Sequence, residues 1–134
     1  MRLLLISLAA ALAVAATAAA AAPDPRVLQV DVRRPAAALA PGVPQTWRIR
    51  VRNAGERDMA RVRVRVTWSR GLRRVAGGRP VPGRVRTADL DFGTVAAGGR
   101  RTKRMRFALR RSGRDARVRA VVRRGEEVPE PQAR

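Results

Sequence analysis

The stretch "MARVRVRVTW" at 59–68 alternates arginine and valine over three repeats. Side chains that repeat every two residues stand on opposite faces of an extended strand, whereas a helix would scatter them around its circumference. The pattern predicts a β-strand with Val62, Val64, Val66 and Trp68 on an inward row and Arg61, Arg63 and Arg65 on the outward one. The same period returns along the chain, and no segment carries a 3.6-residue repeat.

Taken in order, "VLQVDVR" sets Leu28, Val30 and Val32 against Gln29, Asp31 and Arg33, and a Pro/Ala/Gly connector, "RPAAALAPGVP", follows. "TWRIRVR" turns Trp47, Ile49 and Val51 inward and Arg48, Arg50 and Arg52 outward. "NAG" at 53–55 reads as a turn, since Asn and Gly tolerate positive φ. After the 59–68 strand, "SRGLRRVAGG" reads as a bend with a short strand around Leu72 and Val75, and "RPVPG" breaks the chain. "VRTADLDFGTV" offers Val85, Leu90 and Phe92 to a core, and "RTKRMRFALR" offers Met105, Phe107 and Leu109. "RSG" leads into "DARVRAVVRR", whose inward set is Ala116, Val118, Ala120 and Val122.

Seven strands with no helix between them leave no crossover for a parallel sheet. Each strand has one apolar face to bury, so the reading is an all-β, seven-stranded antiparallel sandwich, with a closed small barrel as the alternative. A dozen buried side chains at roughly 1.5–3 kcal/mol each make a workable core without disulfides. That matters because the chain has no cysteine.

The first residues are not fold material. Arg2, a Leu/Ile-rich run and an Ala-rich tail form an N-terminal signal peptide, expected over 1–21 with cleavage after Ala20 or Ala21. An uncleaved membrane anchor is the competing reading, because the apolar run approaches the roughly 20 residues needed to span. The folded domain is expected over 22–124 and a disordered polar tail over 125–134. The localisation that follows is secreted or extracytoplasmic, with membrane contact only through an uncleaved signal.

Two stretches carry a family resemblance. "APGVPQTWRIRVRNAGERDMARVRVRVTWSRGL" and "LDFGTVAAGGRRTKRMRF" resemble the bacterial surface module known as the conserved repeat domain, domain of unknown function eleven, which is close to the bacterial cell-adhesion-related domain. The shared features are a Pro-Gly lead-in, an alternating strand, Asn-x-Gly, a second alternating strand, a Gly-Leu bend, and a later short strand and Gly turn. The resemblance covers about Pro41 to Val122 and implies an immunoglobulin-like sandwich used for adhesion, spacing or display. It differs in having one copy rather than a tandem array, and arginine where Thr and Ser are usual. It implies no catalytic residues.

Histidine, cysteine and tyrosine are all absent, which removes the commonest general base, metal ligands and the best nucleophile. Ser69 and Ser112 read as turn residues. Asp89 and Asp91, at i and i+2, read as acids that balance nearby arginines, since calcium would need more converging oxygens. No catalytic, cofactor or metal residue is assigned, and neither an enzymatic activity nor a small-molecule substrate is expected.

The charge is the remaining signal. Thirty basic residues against ten acidic ones give a net charge of +20, and Lys103 is the single lysine. So basic a chain accumulates near nucleic acid, anionic glycopolymers or acidic head groups. If the third, sixth and seventh strands share a sheet, as in immunoglobulin domains, one outer face collects Arg61, Arg63, Arg65, Arg104, Arg106, Arg110, Arg117, Arg119 and Arg123. Arg48, Arg50 and Arg52 would lie on the other sheet, partly balanced by Asp31, Asp89 and Asp91. Two functions follow. One is a non-enzymatic surface module with an adhesion, structural or protein-interaction role, partnered by another surface protein. The alternative is a binder of an anionic polymer (an acidic wall glycopolymer, lipopolysaccharide or extracellular DNA) through the arginine face.

Overall fold

The computed structural model describes residues 24, 26–111 and 115–129. The expected signal peptide, the Ser112 turn and the tail from Glu130 lie outside the described residues, whereas Gly125, Glu126 and Glu127, expected in a disordered tail, form the end of the last strand. Among those described, every regular element is a strand: β1 Leu28–Arg33, β2 Pro44–Asn53, β3 Met59–Trp68, β4 Leu72–Ala76, β5 Arg79–Pro80, β6 Thr87–Val95, β7 Arg100–Leu109 and β8 Val118–Glu127. They form two four-stranded antiparallel sheets, ordered β1-β2-β7-β4 and β5-β6-β3-β8.

One core fills the space between the sheets. Trp47, Ile49, Val51, Met105 and Phe107 come from the first sheet, and Val62, Val64, Val66, Leu90 and Phe92 from the second. Removing such side chains from water stabilises the fold by roughly 1.5–3 kcal/mol apiece. Phe107 is the pivot: Trp47 meets it edge-on at 6.2 Å, and the half-buried Trp68 leans on it at 5.2 Å.

The alternation is interrupted inside β3. Met59 and Val62 are both buried although three residues apart, because one extra residue slips the register against β6 and again against β8. Arg61 takes a positive φ of 53° at this β-bulge, a conformation uncommon for a residue with a Cβ. One expected core position and one position of the expected short strand are also exposed. Val85 is 75% exposed, since β6 starts only at Thr87 after a turn in which Arg86 has φ 49°. Val75 is exposed at the irregularity between Arg74 and Ala76 in β4.

The eighth strand is β5, in the segment read from sequence as a break. Gly77 and Gly78, with φ of 90° and 71°, carry the chain from β4 in one sheet to β5 in the other. A Cβ at Gly77 would stand 2.6 Å from the Arg104 carbonyl oxygen, so only glycine fits this crossing. Pro80 is tolerated because β5 lies at a sheet edge.

The turn after β2 works differently from the sequence reading, because neither Asn53 nor Gly55 has a positive φ. The buried Asn53 instead donates its Nδ2 to the carbonyls of Arg57 (2.8 Å) and Val95 (3.0 Å) and accepts from the Gly55 amide at Oδ1 (3.0 Å). One side chain thus ties β2, the turn and β6 together. Gly55 is small for space: a Cβ there would approach Val27 Cγ1 to 3.0 Å.

The sheet assignment expected from immunoglobulin order holds for the third and seventh expected strands, since β3 pairs with β8, and fails for the sixth. β7, the sixth of the seven expected strands, pairs with β2 and β4, not with β3. The strand that joins β3 and β8 is β6, which carries Asp89 and Asp91.

Candidate functional site

That exchange divides the nine arginines expected on one face. Arg61, Arg63, Arg65, Arg119 and Arg123 are on β3 or β8, with Arg117 just before β8. Arg104 and Arg106 are on β7, and Arg110 follows it, with its amide donating to the Gly71 carbonyl at 2.8 Å. No single face brings all nine together.

The β6-β3-β8 face is partly balanced by acids, with ion pairs at Arg61, Arg65, Arg117 and Arg124. Arg65 lies in register with Asp89 and binds it through Nε at 3.0 Å and Nη2 at 3.5 Å. Arg63 is in register with Asp91. Arg61 lies 3.8 Å from Glu126, Arg124 lies 2.9 Å from the same residue, and Arg117 lies 3.0 Å from Asp115. Hydrogen bonding from Arg124 holds the Glu126 carboxyl below its ordinary pKa against an opposing desolvation effect, with the fields of Arg124 and Arg61 adding smaller lowering contributions. Arg119 stands opposite Thr67, and Arg123 is exposed at the β8 register shift.

The β1-β2-β7 face is where unbalanced charge collects. Arg33, Arg48 and Arg104 form one row across three strands, because Arg33 pairs in register with Arg48 and Arg48 with Arg104. Arg52 pairs with Arg100, and Arg106 lies opposite Thr46 one step along. Asp31 is the acid of this outer face; it reaches Arg33 and Arg50, each at 3.4 Å. Among the described residues Arg48, Arg52, Arg100, Arg104 and Arg106 make no ion pair. The row arises from ordinary strand chemistry: Trp47, Ile49 and Val51 are drawn into the core, and strict alternation puts Arg48, Arg50 and Arg52 outside.

Neighbouring like charges across strands stand roughly 5 Å apart and repel by about 0.8 kcal/mol per pair in water before screening. An anion between them relieves that repulsion and gains bidentate, charge-assisted hydrogen bonds from planar guanidinium groups. A shallow groove of about 340 Å³ lies along the row, lined by Arg33, Arg48, Arg50, Thr102 and Arg104. Its lining offers guanidinium donors from β1, β2 and β7.

Sequence reasoning placed Arg48, Arg50 and Arg52 outward and gave them one right neighbour, Asp31 beside Arg50, and two wrong ones, Asp89 and Asp91. Arg33, Arg48, Arg52 and Arg100 went unassigned because their grouping depends on β7 pairing with β2. Nothing local in the sequence carries that pairing. Asp89 does balance an arginine, Arg65 of β3 rather than one of β2, whereas Asp91 lies in register with Arg63 without an ion pair among the described residues. Among the described residues no group of three or more His, Cys, Asp or Glu side chains could hold a metal ion, and no helix is long and apolar enough to cross a membrane.

In comparison with known proteins, the chain matches no family model and no curated protein.

Proposed function

We propose that this chain is a secreted or cell-envelope, non-enzymatic module of immunoglobulin-like type that binds an anionic polymer through the outer face of β1, β2 and β7. The observation that carries the reading is the Arg33–Arg48–Arg104 row, three guanidinium groups in register across three strands, beside the Arg52–Arg100 pair and a single acid. A repeating polyanion suits it better than a compact ligand, because the charges form a track rather than a closed pocket. The resemblance to surface repeat modules and the leader-like N-terminus support an extracytoplasmic setting, in which adhesion or display proceeds through that polymer.

Retention on heparin tests the reading. Wild-type protein is expected to elute only at high salt, and an Arg48→Ser/Arg52→Ser variant that folds normally is expected to elute at clearly lower salt. Unchanged elution of the variant contradicts it.

A further inference from the structure

The basic track does not end on the sheet face. Arg104 also borders a second, larger cleft of about 490 Å³, lined from both sheets by Arg63, Arg79, Lys103, Arg104, Asp89 and Asp91. The cleft exists because two strands stop short on the same side of the sandwich. β4 pairs with β7 only from Arg106 onward, and β5 pairs with β6 only at Ala88 and Asp89. The backbone edges of β6 and β7 beyond those points therefore have no strand partner, and the Gly77–Gly78 crossing forms one wall.

Among the described residues Arg63, Arg79, Lys103 and Arg104 make no ion pair. Lys103 extends over the Phe92 ring at 6.0 Å. The two acids differ in what they have left to offer. Asp89 is engaged by Arg65 through both oxygens, whereas Asp91 accepts one bond, from the Gly93 amide at Oδ1 (2.9 Å). Asp91 Oδ2 is left as a strong acceptor beside several cations. Such a site suits a unit that carries an anionic group and hydroxyl donors together.

We infer that this cleft is a subsite for an acidic sugar or polyol unit, whose anionic group is held by Arg79 and Lys103 and whose hydroxyl donates to Asp91, continuous through Arg104 with the β1-β2-β7 track. The inference rests on the polyanion reading and narrows its ligand to a hydroxyl-rich acidic glycopolymer. Nucleic acid fits less well. Single strands are held by stacking on exposed aromatic rings, but Trp47, Phe92 and Phe107 are buried, Trp68 packs on Phe107, and tyrosine is absent. A phosphate in the cleft also gains nothing from Asp91.

The test measures affinity of the full chain for an oligogalacturonate, a glycerol-phosphate polymer and single-stranded DNA at fixed ionic strength. The variants are Asp91→Asn, Arg79→Ser/Lys103→Ser and Arg48→Ser/Arg52→Ser, each checked for an unchanged melting temperature. The asparagine amide in the first variant retains the Oδ1 acceptor for Gly93 but replaces the second oxygen with a donor. Asp91→Asn makes the protein more positive, yet it is expected to weaken a hydroxylated polymer about fivefold while leaving DNA unchanged or slightly tighter, within about twofold. Which of the two hydroxylated polymers shows the effect identifies the anionic group as carboxylate or phosphate. The cleft double variant is expected to weaken that same polymer and to leave DNA within about twofold.

Tighter binding of all three polymers by Asp91→Asn overturns the inference, as does DNA binding as tightly as the hydroxylated polymers to the wild-type protein. If the Arg48/Arg52 variant loses binding while both cleft variants behave as wild type, the cleft inference fails and the face stands. If the Arg48/Arg52 variant loses nothing, the face reading itself fails.

Discussion

Arg65 and Asp89 face each other in register across β3 and β6, joined at 3.0 Å with side chains only 20% and 22% exposed. The pair takes one of the three arginines of the 59–68 strand out of any ligand-binding row and gives it a structural role. Arg65→Ser is expected to cost about 1 kcal/mol of stability, seen as a lower denaturant midpoint, with heparin elution almost unmoved. A large loss of retention would return Arg65 to the binding surface.

Asn53 makes a second structural prediction. Its amide satisfies the Arg57 and Val95 carbonyls and the Gly55 amide at full burial. Asn53→Ala leaves those groups unpaired and is expected to cost about 2–4 kcal/mol, measured by chemical unfolding. A cost below that of an ordinary surface change would show that the turn holds without the side chain.

Gly77 and Gly83 both have positive φ, at 90° and 74°, but they differ in surroundings. A Cβ at Gly83 meets nothing within 4 Å, whereas one at Gly77 strikes the Arg104 carbonyl. Gly83→Ala is therefore expected to cost about 1 kcal/mol from backbone strain alone, and Gly77→Ala at least about 2 kcal/mol. Equal melting temperatures for the two variants would contradict the crossing geometry.

Glu126 sets the pH response of the β3–β8 ladder. Its carboxyl is held below the ordinary value in the folded state by Arg124 and Arg61. A lowered folded-state pKa contributes stability that is present above the unfolded-state pKa and is lost as pH falls through the lowered native value. The melting temperature is expected to fall on acidification through that window, and Glu126→Gln to flatten the fall. The opposite slope would show that Glu126 gains nothing from its neighbours.

The strands themselves were legible, since Arg/Val and Arg/Ile alternation leaves one face for the core, and Trp47, Val64, Phe92 and Phe107 lie where period two put them. Their partners were not. Whether β7 joins β2 or β3 depends on where the chain changes sheets, and a crossing such as that at Gly77, packed against Arg104, looks like any glycine turn in sequence. Position 61 was hidden for a related reason: a bulge adds a residue without breaking the Arg/Val rhythm. The candidate site was legible as a collection of outward arginines, but the face that carries unbalanced charge could be read only once Asp89 and Asp91 were placed beside β3.

The central claim is that position, not net charge, makes the binding surface. The most direct measurement is the salt dependence of heparin affinity for two variants that each lose three positive charges. Arg48→Ser/Arg52→Ser/Arg104→Ser removes charges from the β2–β7 face, and Arg61→Ser/Arg117→Ser/Arg119→Ser removes them from the β3–β8 side. The account predicts that the first variant lowers the slope of log affinity against log salt by about two units and that the second leaves it nearly unchanged. Equal losses from both variants would contradict it.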